Sequence, residues 1–146
     1  MFKKILVPLD GSALAEGILP EVTELARTLG AELLLLRAAL AHVFPGIDPS
    51  DEEVRVVHEA EGYVGALAGK LAETGIPIRT AVRYGKPAVE IIKHIADNQV
   101  DLVAMSTHGR SGLSRLVMGS VAEAIVRSAG VPVLLVRASG KDPERR

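Results

Sequence analysis

Glycine and hydroxyl residues are concentrated in one stretch of the sequence, MSTHGRSGLSRLVMGSVAEAIV, which spans residues 105 to 126. Glycine allows positive φ angles and lets a ligand approach backbone N–H groups, so THGRSG is suited to form a nest of amide donors around an anion. Ser120 and Glu123 have capping-box spacing and predict that a helix begins immediately afterwards. Because a helix N-terminus adds free N–H groups and a positive dipole end, the stretch predicts a phosphate site. The alternative is ordinary turn chemistry, with Ser120 acting only as a helix cap.

Motifs typical of catalysis are missing from the sequence. It contains neither the Walker A pattern nor the G-x-G-x-x-G dinucleotide fingerprint, and it has no G-x-S-x-G serine elbow. Among His42, His58, His94 and His108, no pair has metal-ligand spacing on one helix, and no carboxylate is placed to orient His108 as a base. The sequence therefore predicts a binding site without rapid chemistry and without a protein-held metal.

Length, composition and charge indicate what kind of protein carries this site. A chain of 146 residues, 48% hydrophobic and 24% charged, predicts a single globular domain over residues 1–146 with a flexible tail from about residue 139. A net charge of -1 and scattered arginines do not favour nucleic acid as a partner. The absence of cysteine excludes a disulfide framework and fits the cytoplasm, and no apolar run reaches the length of a membrane span.

Aliphatic runs and helical patterns alternate along the chain. Strands are predicted over residues 4–9, 31–38, 76–85, 100–106 and 131–137. Helices are predicted over about 13–29, from a capping box at Ser50 and Glu53 to about Thr74, from Pro87, and from Ser120. This order predicts a parallel sheet with helices on both faces and a ligand site beyond the carboxyl ends of its strands. The loops at 10–12, 39–46 and 85–87 then join the stretch at 105–126 as candidates.

The sequence resembles the universal stress protein family over nearly its whole length. The resemblance is carried by KKILVPLDGS at the start and by GKPAVEIIKHIADNQVDLVAMSTHGRSGLSRLVMGSVAEAIVRSAGVPVLLVR in the second half, and it is weakest between about residues 40 and 75. It implies an α/β fold of the flavodoxin-like or adenine nucleotide alpha hydrolase-like type, with an open five-stranded parallel sheet of order 3-2-1-4-5. Strands 1 and 4 would then lie side by side and bring DGS next to STHGRSG.

One branch of this family binds ATP through the signature G-x2-G-x9-G-[ST]. Gly109, Gly119 and Ser120 match the signature, whereas Ser106 stands at its first glycine. A Cβ there costs on the order of 1 kcal/mol if the position needs a left-handed backbone. The resemblance implies ATP as ligand, with any Mg²⁺ held mainly by phosphate oxygens and water.

The same resemblance assigns further residues to the nucleotide. Near the adenosine it places Pro8, Asp10, the backbone at Ala38, and Met105. The Ser106 hydroxyl would bond to the ribose or to a phosphate. Around the phosphates the resemblance places His108, Gly109, Arg110, Gly112, Gly119, Ser120 and Val121. Asp10 is alternatively a turn or cap residue, and Met105 alternatively fills the core. Arg37 stands where the family often has histidine.

The function implied by the resemblance is a nucleotide-dependent stress-response or signalling module in the cytoplasm, with at most slow ATP hydrolysis or self-phosphorylation. The alternative is a stress or interaction protein of the same fold that binds no nucleotide and acts through dimerisation. The last strand, from Val131 to Val136, is apolar and expected at a sheet edge. By resemblance, it would pair with the same strand of a second copy in a homodimer.

Overall fold

Five aliphatic segments form one parallel sheet in the computed structural model, which describes residues 1–107 and 119–137. The sheet order is β3-β2-β1-β4-β5, and every neighbouring pair is parallel. The predicted fold class and strand order are therefore confirmed. The strands are β1 (Lys4–Leu9), β2 (Glu32–Ala39), β3 (Ile78–Tyr84), β4 (Leu102–Thr107) and β5 (Val133–Arg137).

Helices connect the strands in the predicted alternation. Gly30 and Gly75 adopt positive φ angles of 64° and 80° after the second and third helical segments, a conformation that glycine allows without a steric cost. The helices are α1 (Ala13–Glu16), α2 (Leu19–Leu29), α3 (Pro49–Leu71) with a 3-10 turn at Ala72–Thr74, α4 (Pro87–Asp97) and α5 (Ser120–Ser128).

The first helical segment departs from the prediction of one helix over residues 13–29. It is divided at Gly17 and Ile18 into the short α1 and the longer α2. Pro20, in the first turn of α2, lacks the N–H that a continuous helix would direct to the carbonyl of Glu16. A helix can begin with proline but cannot continue through it at no cost, so the chain starts a new helix here.

Two predicted helix caps are also wrong by one or two residues. The N-cap of α3 is Asp48, whose side chain accepts a hydrogen bond from the Ser50 amide, because Pro49 takes the first helical position. The N-cap of α5 is Gly119, with φ -66° and ψ 163°, and Ser120 is the first helical residue rather than the cap. Since capping requires an extended backbone at the cap residue, the Ser120 side chain is one position too late.

The core lies on both faces of the sheet. On one face, Ile5 and Val7 of β1 pack with residues of α1, α2 and α3. On the other face, Leu6 of β1 packs with Ile91 of α4 and Ile125 of α5. Alternate residues of β1 thus enter opposite core layers, as expected for a strand buried on both sides.

The seam between β1 and β4 is the shortest part of the sheet. These strands pair through Ile5↔Leu102 and Leu6↔Val103, whereas β1 pairs with β2 from Lys4 to Leu9. The carboxyl ends of β1 and β4 extend beyond their mutual ladder. Because β1 and β4 connect in opposite directions across the sheet, this seam is the point at which strand order reverses.

Candidate functional site

A cavity of 410 Å³ opens beyond the seam between β1 and β4. This volume lies within the range of small-ligand sites, roughly 300–1,000 Å³. The ends of β1, β2 and β4 and the first turns of α1, α4 and α5 contribute to its wall. All the predicted site residues within the described part of the chain line it: Pro8, Asp10, Ala38, Met105, Ser106, Gly119, Ser120 and Val121.

One part of the cavity wall is apolar. Ala38 and Met105 belong to the buried core, so Met105 both fills the core and reaches the cavity. Leu14 of α1 and Ile91 of α4 add aliphatic surface that sequence reasoning did not assign to the site. The signal for Ile91 was its position one helical turn after Pro87, which also lines the cavity. Aliphatic walls of this kind accommodate an uncharged ring.

Asp10 forms a compact turn with Ser12 at the end of β1. The Asp10 Oδ1 atom accepts hydrogen bonds from the Ser12 amide at 2.9 Å and from the Ser12 hydroxyl at 2.5 Å. Ser12 in turn caps α1, because its Oγ accepts from the Ala15 amide at 3.2 Å. Asp10 is therefore a turn residue and a cavity residue at once. The sequence analysis treated these two roles as alternatives, and it included Ser12 only as part of the candidate loop at 10–12.

The Asp10 carboxylate is stabilised in its charged form. Burial raises the pKa of this carboxyl, but the hydrogen bonds from Ser12 and the positive charge of Arg37 outweigh burial and leave the pKa below its usual value. The ionised carboxylate can only accept hydrogen bonds. Asp10 therefore presents a fixed acceptor to any donor group that enters the cavity.

Arg37 brings a positive charge to the same wall. It lies at the end of β2, in register with Leu9 of β1, and its guanidinium carbon is 5.8 Å from the centre of the Tyr63 ring. This distance is that of a cation–π contact. Gly11 has a φ of 85°, and a Cβ built there would lie 3.5 Å from the Arg37 guanidinium. The turn after β1 and the Tyr63 ring thus lie close to the guanidinium.

The start of α5 supplies hydrogen-bond donors. No side chain caps this helix within the described residues, so the first amide groups, from Ser120 onwards, have neither a helical acceptor nor a side-chain acceptor there. Gly119, Ser120 and Val121 all line the cavity. Free amides and the positive dipole end of a nine-residue helix make this wall suitable for an anion.

Ser106 lies within β4, where it pairs with Val136 of β5. Among the residues that the structure describes, Gln99 is the only non-glycine residue with a positive φ. Ser106 therefore avoids the left-handed conformation in which its Cβ would be costly, and its residue type does not strain the backbone. The predicted phosphate-loop residues His108, Gly109, Arg110 and Gly112 lie outside the described residues.

Residues 1–107 and 119–137 contain no group of three or more His, Cys, Asp or Glu residues arranged to hold a metal ion. No helix in these ranges combines the length and apolar character needed to cross a bilayer.

Solved structures of similar proteins share this fold. A protein of the universal stress protein family from Burkholderia pseudomallei superimposes with a TM-score of 0.77, at 26% identity, over 94% of this chain and 97% of its own. A universal stress protein in complex with cAMP has a TM-score of 0.70 at 18% identity and covers 94% of this chain and 98% of its own. An AMP-bound family protein from Arabidopsis thaliana has a TM-score of 0.63 at 18% identity and covers 96% of this chain and 94% of its own.

Sequence comparison gives the same relationship. The family model for the universal stress protein family matches residues 1–137. Universal stress protein MJ0531 of Methanocaldococcus jannaschii is 31% identical over 97% of this chain and 86% of its own length. Universal stress protein YxiE of Bacillus subtilis is 32% identical over 94% of this chain and its own full length, 100%. With the fold, the cavity and these matches in agreement, the chain belongs to the universal stress protein family.

Proposed function

We propose that the protein binds ATP in the cavity at the β1–β4 seam and acts as a nucleotide-dependent stress-response or signalling module. The observation that carries this proposal is the meeting of three unlike surfaces in one cavity. These are an ionised acceptor at Asp10, an aliphatic wall around Met105 and Ile91, and a helix start at Gly119 that no described side chain caps. A nucleotide combines a sugar that donates hydrogen bonds, an uncharged base and a phosphate chain, so it fits all three.

Each part of the nucleotide has a preferred position in this proposal. The base packs against Ala38, Met105 and Ile91, where apolar area is buried. The ribose lies next to Asp10, and the phosphates meet the amides at the start of α5. His108, Gly109, Arg110 and Gly112 are proposed phosphate contacts on the ground of the family signature alone.

Relatives support adenine nucleotides as the ligand class. The family members solved with cAMP and with AMP both hold ligands that contain adenosine. The proposal of ATP, rather than a shorter nucleotide, rests on Gly119 and Ser120, which match the end of the ATP-binding signature. Any Mg²⁺ arrives with the nucleotide and is held mainly by phosphate oxygens and water.

The proposed role does not require rapid hydrolysis. Asp10 is the one carboxylate among the described residues that line the cavity, and its pKa is lowered. A carboxylate with a lowered pKa is a weak general base, and its Oδ1 is already engaged by Ser12. Turnover by the described residues is therefore expected to be slow.

A specific observation also favours the alternative role in which the protein acts through dimerisation. β5 is an edge strand, and Leu134 on it is 38% exposed. Edge strands with apolar residues pair readily with other strands. We include in the proposal a cytoplasmic homodimer joined through Val131 to Val136, for which light scattering gives the molecular mass.

Nucleotide release tests the function directly. Freshly purified protein is denatured, the released small molecules are separated by chromatography, and ATP, ADP and AMP are titrated into nucleotide-free protein by calorimetry. We expect an adenine nucleotide in the released fraction and saturable binding of ATP. Absence of released nucleotide together with absence of binding heat would contradict the proposal and leave the dimerisation role.

A further inference from the structure

We propose that Arg37 determines the sugar specificity of the cavity, so that Arg37 and Asp10 together recognise the vicinal diol of a ribose. This inference rests on the proposed function, because it names a specificity residue of the same site. The juxtaposition that carries it is a guanidinium and a carboxylate on adjacent strand ends, both lining one cavity.

The two charged groups face the cavity without forming an ion pair with each other. No salt bridge within 4.0 Å joins them, although Arg37 is in register with the residue that precedes Asp10. They are also the charged side chains among the described residues of the cavity wall. Each group therefore remains available to a ligand.

The hydrogen-bonding capacity of both groups is incompletely used. Both Ser12 hydrogen bonds go to Oδ1 of Asp10, and within residues 1–107 and 119–137 no residue other than Asp10 itself donates to Oδ2. The Arg37 guanidinium makes no hydrogen bond to a described residue, and its contacts are the Tyr63 ring and the turn at Gly11. A guanidinium has five N–H donors, so the cavity offers unused donors beside an unused acceptor.

The position of Arg37 is restricted even without a ligand. Tyr63 is packed against the buried core on the α3 side of the sheet, and its ring faces the guanidinium. A side chain held by an aromatic surface loses less conformational freedom on binding than a solvent-exposed arginine does. Arg37 is thus prepared for directional contact.

A vicinal diol matches this arrangement better than a single hydroxyl does. One hydroxyl donates its proton to the Asp10 carboxylate, and the oxygen of the neighbouring hydroxyl accepts from Arg37. A deoxyribose lacks one of these groups and leaves either the carboxylate or the guanidinium without its partner. Leaving one of the two charged groups without its hydrogen-bond partner lowers affinity by about tenfold.

The experiment measures the preference for ribose in matched variants. Dissociation constants for ATP, 2′-deoxy-ATP and 3′-deoxy-ATP are obtained by calorimetry for the wild type, Arg37→Met and Arg37→Lys. Arg79→Met serves as the control, because Arg79 is an exposed arginine on neighbouring β3 that does not line the cavity. Thermal melts establish that each variant is folded.

We expect the wild type and Arg79→Met to bind ATP about tenfold more tightly than either deoxynucleotide. In Arg37→Met the preference over the deoxynucleotide that lacks the Arg37-bound hydroxyl should fall to about threefold or less, because that deoxynucleotide keeps its affinity while ATP loses affinity. Arg37→Lys should retain an intermediate preference because it keeps the charge but loses the planar fork. If Arg37→Met does not fold, Tyr63→Leu, which removes the ring beside Arg37, should lower the preference in the same direction.

Two results overturn the inference while leaving nucleotide binding intact. One is a wild type that binds ATP and both deoxynucleotides equally. The other is an Arg37→Met variant that loses affinity for all three ligands by the same factor, which would assign Arg37 to the phosphates. A wild type that binds no adenine nucleotide overturns the proposed function as well.

Discussion

The β1 wall and the α5 wall of the cavity satisfy their polar groups in opposite ways. On the β1 side, Asp10 and Ser12 are hydrogen-bonded to each other and to the first turn of α1. On the α5 side, no side chain among the described residues caps the helix that begins at Ser120. The first wall forms hydrogen bonds of its own and keeps one carboxylate oxygen for a ligand, whereas the first amides of the second wall find no side-chain acceptor among the described residues. Changes on the first wall should therefore affect stability and binding, and changes on the second should affect mainly binding.

The largest effect is expected from Gly119→Val. A branched side chain at this position obstructs the approach of a phosphate to the amides of α5, and two charge-assisted hydrogen bonds are worth about 3 kcal/mol or more. We expect the affinity for ATP to fall by about a hundredfold or more in calorimetry. Gly119→Ala should lose less, and unchanged affinity in Gly119→Val would mean that the nucleotide binds elsewhere.

A smaller effect is expected from Asp10→Asn, which keeps the shape of the side chain and removes its charge. Loss of one charge-assisted hydrogen bond should weaken ATP binding by about tenfold. Because the pKa of Asp10 lies below its ordinary value of 3.8, the carboxylate stays ionised in mildly acidic solution. The ratio of wild-type to variant affinity, which cancels the titration of the nucleotide itself, should be constant from about pH 8 to about pH 5.

The sign of the accompanying stability change follows from the same lowered pKa. A carboxyl whose pKa is depressed in the folded state contributes stability above its unfolded pKa and loses that contribution as the pH falls through the folded value. The stability advantage of the wild type over Asp10→Asn should accordingly disappear only below about pH 4. An advantage that declines between about pH 7 and pH 5 would assign the effect to another group.

The smallest effect comes from a matched pair of serine variants and is measured by urea unfolding. Ser12→Ala removes the side-chain cap of α1 and should lower the free energy of unfolding by about 1 kcal/mol. Ser120→Ala removes a hydroxyl that caps nothing in the described structure and should change it by less than about 0.5 kcal/mol. Equal losses in the two variants would contradict the distinction between the two walls.

The fold could be predicted because its determinants are local. β1 and β2 are short continuous aliphatic runs, which is typical of strands buried on both faces, and Gly30 and Gly75 ended their helical segments as expected. Two of the predictions that failed concern helix caps, and a cap depends on the backbone conformation of a single residue. Ser120 has the residue type of a cap, but the extended conformation occurs at Gly119.

The cavity wall was predicted only in part because some of its contacts join residues that are far apart in the sequence. Pro8, Asp10 and Met105 lie at strand ends, where parallel sheets bind ligands, and the structure places them on the cavity wall. By contrast, the contact of Arg37 with Tyr63 depends on how α3 crosses the sheet, and that crossing leaves no signature in the residues between them. The hydrogen bonds of Arg83 with Glu90 and Asp97, which join β3 to α4, escaped prediction for the same reason.

The short ladder between β1 and β4 has a consequence for folding. Its strands are separated by most of the described chain, so their pairing closes a long loop. The closure costs conformational entropy, and only two residue pairs form in exchange. The cavity walls consequently acquire their relative positions only when the two halves of the sheet have joined. A ligand that spans the walls binds the joined state alone and shifts the equilibrium towards it in proportion to its concentration. The concentration of nucleotide would then set the fraction of molecules in which the two halves of the sheet are joined.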